Sequence, residues 1–167
     1  PLTKKRISDA QSRAREFEGS NYRNALEYEL VKVRSVVHFA QLPRQAIRQF
    51  DQNLRRAKSD RESLIAEYGL ALAHSKNNDH EDALQFMRNA LKKDKENLLI
   101  QIGILEVHIA AENYFEAEAL AVSLLQLNPN NYPISMLYNQ ILMNKGDYEK
   151  GEEVLRTLTL KRPNDPQ

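Results

Sequence analysis

The chain contains no cysteine, which excludes disulfide frameworks, thiolate metal sites and cysteine nucleophiles. It has only 5 Gly and 6 Pro among 167 residues. So few turn-makers argue against many short strands, and their near-regular placement predicts long helices. No apolar run approaches the roughly 20 residues of a membrane-spanning helix. Gly19, Gly69, Gly103, Gly146 and Gly151 stand alone, so there is no glycine-rich phosphate loop. The first residue is Pro1 and no signal peptide follows it. On this reading the chain is a processed product or a piece of something longer.

What remains is a globular composition, 41% hydrophobic and 28% charged, with material for a single core. Net charge is +1, but it is unevenly spread. Residues 1–60 carry 13 Lys/Arg against 7 Asp/Glu, and the rest carries 11 against 16. A basic end invites a nucleic-acid reading. Base-stacking aromatics are not interleaved with these cations, however, and two faces that meet each other or a neighbouring domain explain the split better. No nucleic-acid partner is expected.

Sliding the sequence over itself gives a match at 34 residues, in units 64–97, 98–131 and 132–165. Asn78-Asp79-His80, Glu112-Asn113-Tyr114 and Gly146-Asp147-Tyr148 align, followed by the small column Ala83, Ala117 and Gly151. The triplets read as tight turns opening a helix, and the small residues let two helices approach closely. Pro129 and Pro163 end the second helix of their units, where 64–97 lacks a proline, and the Asn or Asp that follows caps the next helix. Leu84, Met87, Ala90 and Leu91 recur at helical spacing. Each unit is thus a helix–turn–helix hairpin that buries its second face only against a neighbour. The pattern resembles the tetratricopeptide repeat, which implies an all-α solenoid of three clear repeats. A degenerate first repeat is assigned to the region 21–63, with Ala46 and Phe50 in its packing columns, a turn at Gln41-Leu42-Pro43 and three inserted residues, Arg61–Ser63. Residues 1–20 read as an amphipathic helix or linker belonging to an upstream, missing domain, its apolar side being Leu2, Ile7, Ala10, Ala14 and Phe17. If that domain is absent, the exposed side predicts association of the isolated chain.

Catalytic chemistry finds little support. His80-Glu81-Asp82-Ala83-Leu84 starts like the zinc-peptidase signature H-E-x-x-H, but Leu84 replaces the second histidine that a zinc ion needs on the same helix face. His74 and His108 share one column, where two imidazoles filling a half-buried layer explain the sequence better than a metal pair. His108 and Glu112 read as a local helix pair, and His38 beside Phe39 as a packing residue. No catalytic residue, metal ligand or cofactor is assigned to this chain.

In tetratricopeptide arrays the first helix of each unit lines a concave groove. That register places Ile65, Tyr68, Leu72, Leu99, Ile102, Glu106, Met136, Gln140 and Met143 there. This largely apolar set is suited to a helix, an extended segment or another domain, with Met136 and Met143 adaptable in shape. Family members that clamp a terminal carboxylate use Lys and Asn where this chain has Tyr68, Leu72, Ile102 and Met136, so no such clamp is expected.

Pro1-Leu2-Thr3-Lys4-Lys5-Arg6-Ile7-Ser8-Asp9-Ala10, with Asn21-Tyr22 and the Ala66–Ala73 run, resembles the bacterial periplasmic zinc metallopeptidases of the BepA-like, β-barrel assembly-enhancing type. There such a segment follows the catalytic core and precedes C-terminal tetratricopeptide repeats. The resemblance implies an upstream zinc-binding H-E-x-x-H domain, periplasmic localisation and a chaperone-like role. It also implies contact with the parent's own protease domain, with outer-membrane β-barrel substrates or with their assembly machinery. A free-standing cytoplasmic scaffold fits the repeats alone.

Overall fold

The structure is a computed structural model that describes residues 26–161. The expected helix over residues 1–20 and the Pro163 stop signal lie outside the described residues. Those residues form eight α-helices: α1 (Leu26–Phe39), α2 (Pro43–Arg56), α3 (Asp60–Lys76), α4 (His80–Lys93), α5 (Leu98–Ala110), α6 (Tyr114–Leu127), α7 (Tyr132–Lys145) and α8 (Tyr148–Lys161). Each helix packs on the next, and α1, α3, α5 and α7 also touch one another in sequence. The odd-numbered helices therefore make an inner layer of an all-α solenoid and the even-numbered ones an outer layer.

The aligned triplets are the hairpin turns. Asn78, Glu112 and Gly146 take φ of 65°, 58° and 82°, so each is the left-handed residue that ends a helix. In all three the next N–H, of Asp79, Asn113 or Asp147, donates back to the carbonyl of His74, His108 or Leu142 at 2.9 Å. The first hairpin turns without a left-handed residue and uses Pro43 to open α2, where a missing N–H costs nothing. Helix starts are capped from the sequence: the side chains of Ser59, Asn97 and Asn131 accept from the N–H groups of Glu62, Ile100 and Ile134. Arg61–Ser63 lie within the first turns of α3, which has 17 residues where its counterparts α5 and α7 have 13 and 14.

The small column does what its size suggests. Ala46, Ala83 and Ala117 are buried, and Gly151 has the Asn139 amide and the Met143 thioether close above its Cα. Hairpins join through a second relation. Phe50 from α2 presses its ring onto Gly69 of α3, and Met87 from α4 lays its thioether on Gly103 of α5. At the third junction the sizes are exchanged, with Ala121 of α6 and Leu137 of α7 in the same apolar cluster. Large against small, in either order, keeps interhelical distance uniform at interior packing density.

Polar contacts then lock the stack. The Lys76 ammonium donates to the carbonyls of Val37, His38 and Ala40 at 3.0, 2.7 and 2.9 Å, satisfying C-terminal acceptors of α1 that no intrahelical N–H reaches. Lys93 grips both oxygens of buried Glu67 at 2.8 and 2.7 Å, tying α4 to α3.

Candidate functional site

The inner layer frames a groove of about 700 Å³ bounded by α1, α3 and α5. Leu72 and Gly103 form much of its floor. Val31, His38 and Phe39 stand on one wall, and Leu99 and Glu106 on the other. Gly103 lines this space with its backbone, since the side where a Cβ would stand is taken by Met87 and Tyr68. A second recess of about 430 Å³ lies between α5 and α7, lined by Glu106, Ile109, Glu112, Tyr114, Leu137, Gln140 and Asn144. Glu106 borders both spaces.

The floor is crossed by a polar bridge. The Arg34 guanidinium donates to the Tyr68 hydroxyl at 2.9 Å and to Glu106 Oε1 at 2.5 Å, joining α1, α3 and α5. Burial works against the Arg34 charge, but the hydrogen bond to Glu106 and the nearby Tyr68 and Glu106 oxygens outweigh it and hold its pKa above the ordinary arginine value. Burial raises the Tyr68 phenol, and the Arg34 charge offsets only part of that. The bridge thus sets the Arg34 guanidinium against Glu106 in a charge-assisted hydrogen bond, with the Tyr68 phenol as a second acceptor. The walls are apolar and open, with Val31 51% and Phe39 80% exposed.

The nine residues assigned to the groove from the repeat register divide by depth. Leu72, Leu99 and Glu106 line the larger space, and Glu106 and Gln140 line the smaller. Met136 and Met143 are exposed on α7, Ile65 is half-buried, and Tyr68 and Ile102 are buried. Tyr68 is therefore a core residue whose hydroxyl anchors Arg34 beneath the groove. The register did not single out Val31, Arg34, Phe39, Gly103 or Lys76. Arg34 in particular pairs with groups 34 and 72 residues away, a relation no local pattern displays.

The histidines have separate surroundings. His74 Nδ1 lies 3.3 Å from Asp79 Oδ2, and its ring stacks on Phe86 with centroids 5.5 Å apart. Asp79 is held below the usual carboxylate range, first by the Asn77 side-chain amide and then by His74. Burial lowers the His108 pKa, with Glu116 and Arg88 as its charged neighbours. Nδ1 of His80 and of His108 has no hydrogen-bond partner among the described residues. Among those residues no group of three or more His, Asp or Glu side chains is placed to hold a metal ion. No described helix is long and apolar enough to cross a membrane. What this surface can do is bind: an open, largely apolar trough whose cations already have hydrogen-bond partners has complementarity to offer a polypeptide.

Residues 108–167 match the family model described as tetratricopeptide repeat. No curated protein matches the sequence. Among solved structures, that of MamA (AMB-1) is similar, with a TM-score of 0.59 and 17% identity over 84% of this chain and 74% of that one. At that identity the likeness is one of fold, and the architecture is a tetratricopeptide-type helical solenoid.

Proposed function

We propose that the chain is a protein–protein interaction module that holds a polypeptide segment of its partner against the inner layer of odd-numbered helices. The observation that carries this reading is the open apolar trough between α1 and α5, walled by exposed Val31 and Phe39, where Arg34 is paired with Glu106 and Lys76 is tied to the carbonyls that end α1. Such a trough favours the apolar face of an amphipathic helix or an extended apolar segment. Affinity capture with the wild-type chain, Leu72→Glu and Phe115→Glu tests it, since Phe115 is 81% exposed on α6 in the outer layer. Partner polypeptides should be lost with Leu72→Glu and kept with Phe115→Glu. Equal retention by both variants, with helical content unchanged, overturns the groove assignment.

The finer reading makes this module the repeat arm of a periplasmic zinc metallopeptidase acting in outer-membrane protein assembly and quality control. Its support is the resemblance of Pro1–Ala10, Asn21-Tyr22 and Ala66–Ala73 to that family. In this reading zinc belongs to the catalytic domain upstream, and the groove presents substrates or docks on assembly machinery. Sequencing the gene upstream of the Pro1 codon decides it. An in-frame H-E-x-x-H behind a signal peptide is the expected result, and a start codon immediately before Pro1 leaves a free-standing scaffold.

A further inference from the structure

At two junctions the even-numbered helix offers one side chain to one position on the next odd-numbered helix, Phe50 to Gly69 and Met87 to Gly103, and one period later Ala121 and Leu137 hold the same two positions within one apolar cluster. The corresponding position on α1 is Lys32, 37 residues before Gly69 as Pro43 is 37 before His80. Around it, and outside the groove lining, Tyr28 and Val36 are 58 and 40% exposed. Among the described residues α1 is thus the one odd-numbered helix with no even-numbered helix packed on this face.

Residues N-terminal to α1 carry the pattern that this face requires. The even-numbered helices place their first residue, small column, junction knob and a fourth inner residue at spacings of 0, 3, 7 and 10. These are His80/Ala83/Met87/Ala90, Tyr114/Ala117/Ala121/Leu124 and Tyr148/Gly151/Leu155/Leu158. Ile7, Ala10, Ala14 and Phe17 repeat that spacing, with a small residue where the column demands one. The connection fits as well. From the fourth inner residue to the first residue of the next helix there are 8 steps in both cases (Ala90 to Leu98, Leu124 to Tyr132), and Phe17 to Leu26 makes 9.

We propose that residues 7–17 occupy the open face of α1 in the place an even-numbered helix takes on α3, α5 and α7, extending the solenoid by one helix on the N-terminal side of α1. Ala14 then faces Lys32, a small residue against a long one, as Ala121 faces Leu137. The lysine stem lies along the apolar contact with its ammonium in water. The apolar side of the segment covers Tyr28 and Val36 and leaves the groove wall of Val31 and Phe39 open.

The chain has no cysteine, so a designed pair reports without background. Phe50 Cγ lies 2.6 Å from a Cβ built on Gly69. With one further C–C bond, the two Cβ atoms of a junction pair lie within about 4 Å, inside disulfide range. Ala14→Cys with Lys32→Cys is introduced into the full 167-residue chain and oxidised at low micromolar concentration, with Ala121→Cys/Leu137→Cys as the control junction. The expected product is an intrachain disulfide, seen as a faster monomer band without reductant and a mass loss of about 2 Da. A disulfide-linked dimer overturns the proposal in favour of a second copy on this face. No cross-link from the pair, while the control closes, overturns it in favour of a different occupant.

Discussion

Adding one methyl group to Gly69 separates two opposing effects that the repeat geometry sets against each other. In the interior of α3, Gly→Ala should stabilise by about 1 kcal/mol through backbone entropy alone. A Cβ at this position, however, meets Cδ1, Cε1 and Cγ of Phe50 at 2.4, 2.6 and 2.6 Å. Phe50 is buried, and its Cγ is one bond from its own Cβ, so the ring cannot swing aside without moving α2. Overpacking of this kind costs about 1–3 kcal/mol, and three ring carbons well inside contact distance place it at the upper end. The net expectation is a loss of about 1–2 kcal/mol, or roughly 2–8 °C in Tm for a domain of this size. Gly103→Ala meets Met87 Cε at 2.5 Å and Sδ at 3.0 Å. That contact is the free end of a flexible side chain, which rotates away, leaving Gly103→Ala within about 0.5 kcal/mol of wild type once the helix gain is counted. Urea and thermal denaturation followed by circular dichroism measure both, and Phe50→Leu combined with Gly69→Ala should recover part of the Gly69→Ala loss. A Gly69→Ala protein more stable than wild type, or equal shifts at the two glycines, would refute the junction argument.

Other consequences follow from single residues. Glu112 sits at φ 58° where the next unit has Gly146, so Glu112→Gly should stabilise by about 1 kcal/mol; a loss in urea denaturation would contradict the left-handed turn. Lys76→Met strips three carbonyls of their shared donor and should cost about 1–2 kcal/mol, with hydrogen exchange accelerated in α1 before α7. Burial depresses the His108 pKa below its ordinary 6.5, so the unfolded chain binds the proton first and stability falls as pH drops through that value. His108→Gln should flatten the stability profile between pH 7 and 5, and an unchanged slope would remove His108 as its source.

Much of the architecture was readable because a 34-residue period repeats backbone demands as well as side chains. The Asn78, Glu112 and Gly146 column marks a left-handed helix end, and Asn97 and Asn131 announce the caps they make. Gly69 and Gly103 also stand 34 apart, yet they read as isolated glycines because the residues that need them, Phe50 and Met87, come from the preceding hairpin. Arg34 escaped for a similar reason: the first hairpin departs from the period, and its partners lie one and two helices deeper in the inner layer. The groove register found Leu72, Leu99 and Glu106 at the surface. It could not tell a side chain over the groove from one beneath it, which is why it named Tyr68, a buried residue that only anchors Arg34 from below. His74 and His108 share a column but not a neighbourhood, since Asp79 and Phe86 take up the first and burial isolates the second.

Site-specific photo-cross-linking tests the central claim most directly. A benzophenone amino acid is placed at Phe39 on the groove wall in one variant and at Phe115 on the outer layer in another, both strongly exposed, in the organism's own cells. The account predicts a discrete cross-linked polypeptide from position 39 that disappears when Leu72→Glu is added, and none of it from position 115. Cross-linking of that polypeptide from position 115, or its persistence at position 39 in the Leu72→Glu background, would contradict binding in the groove.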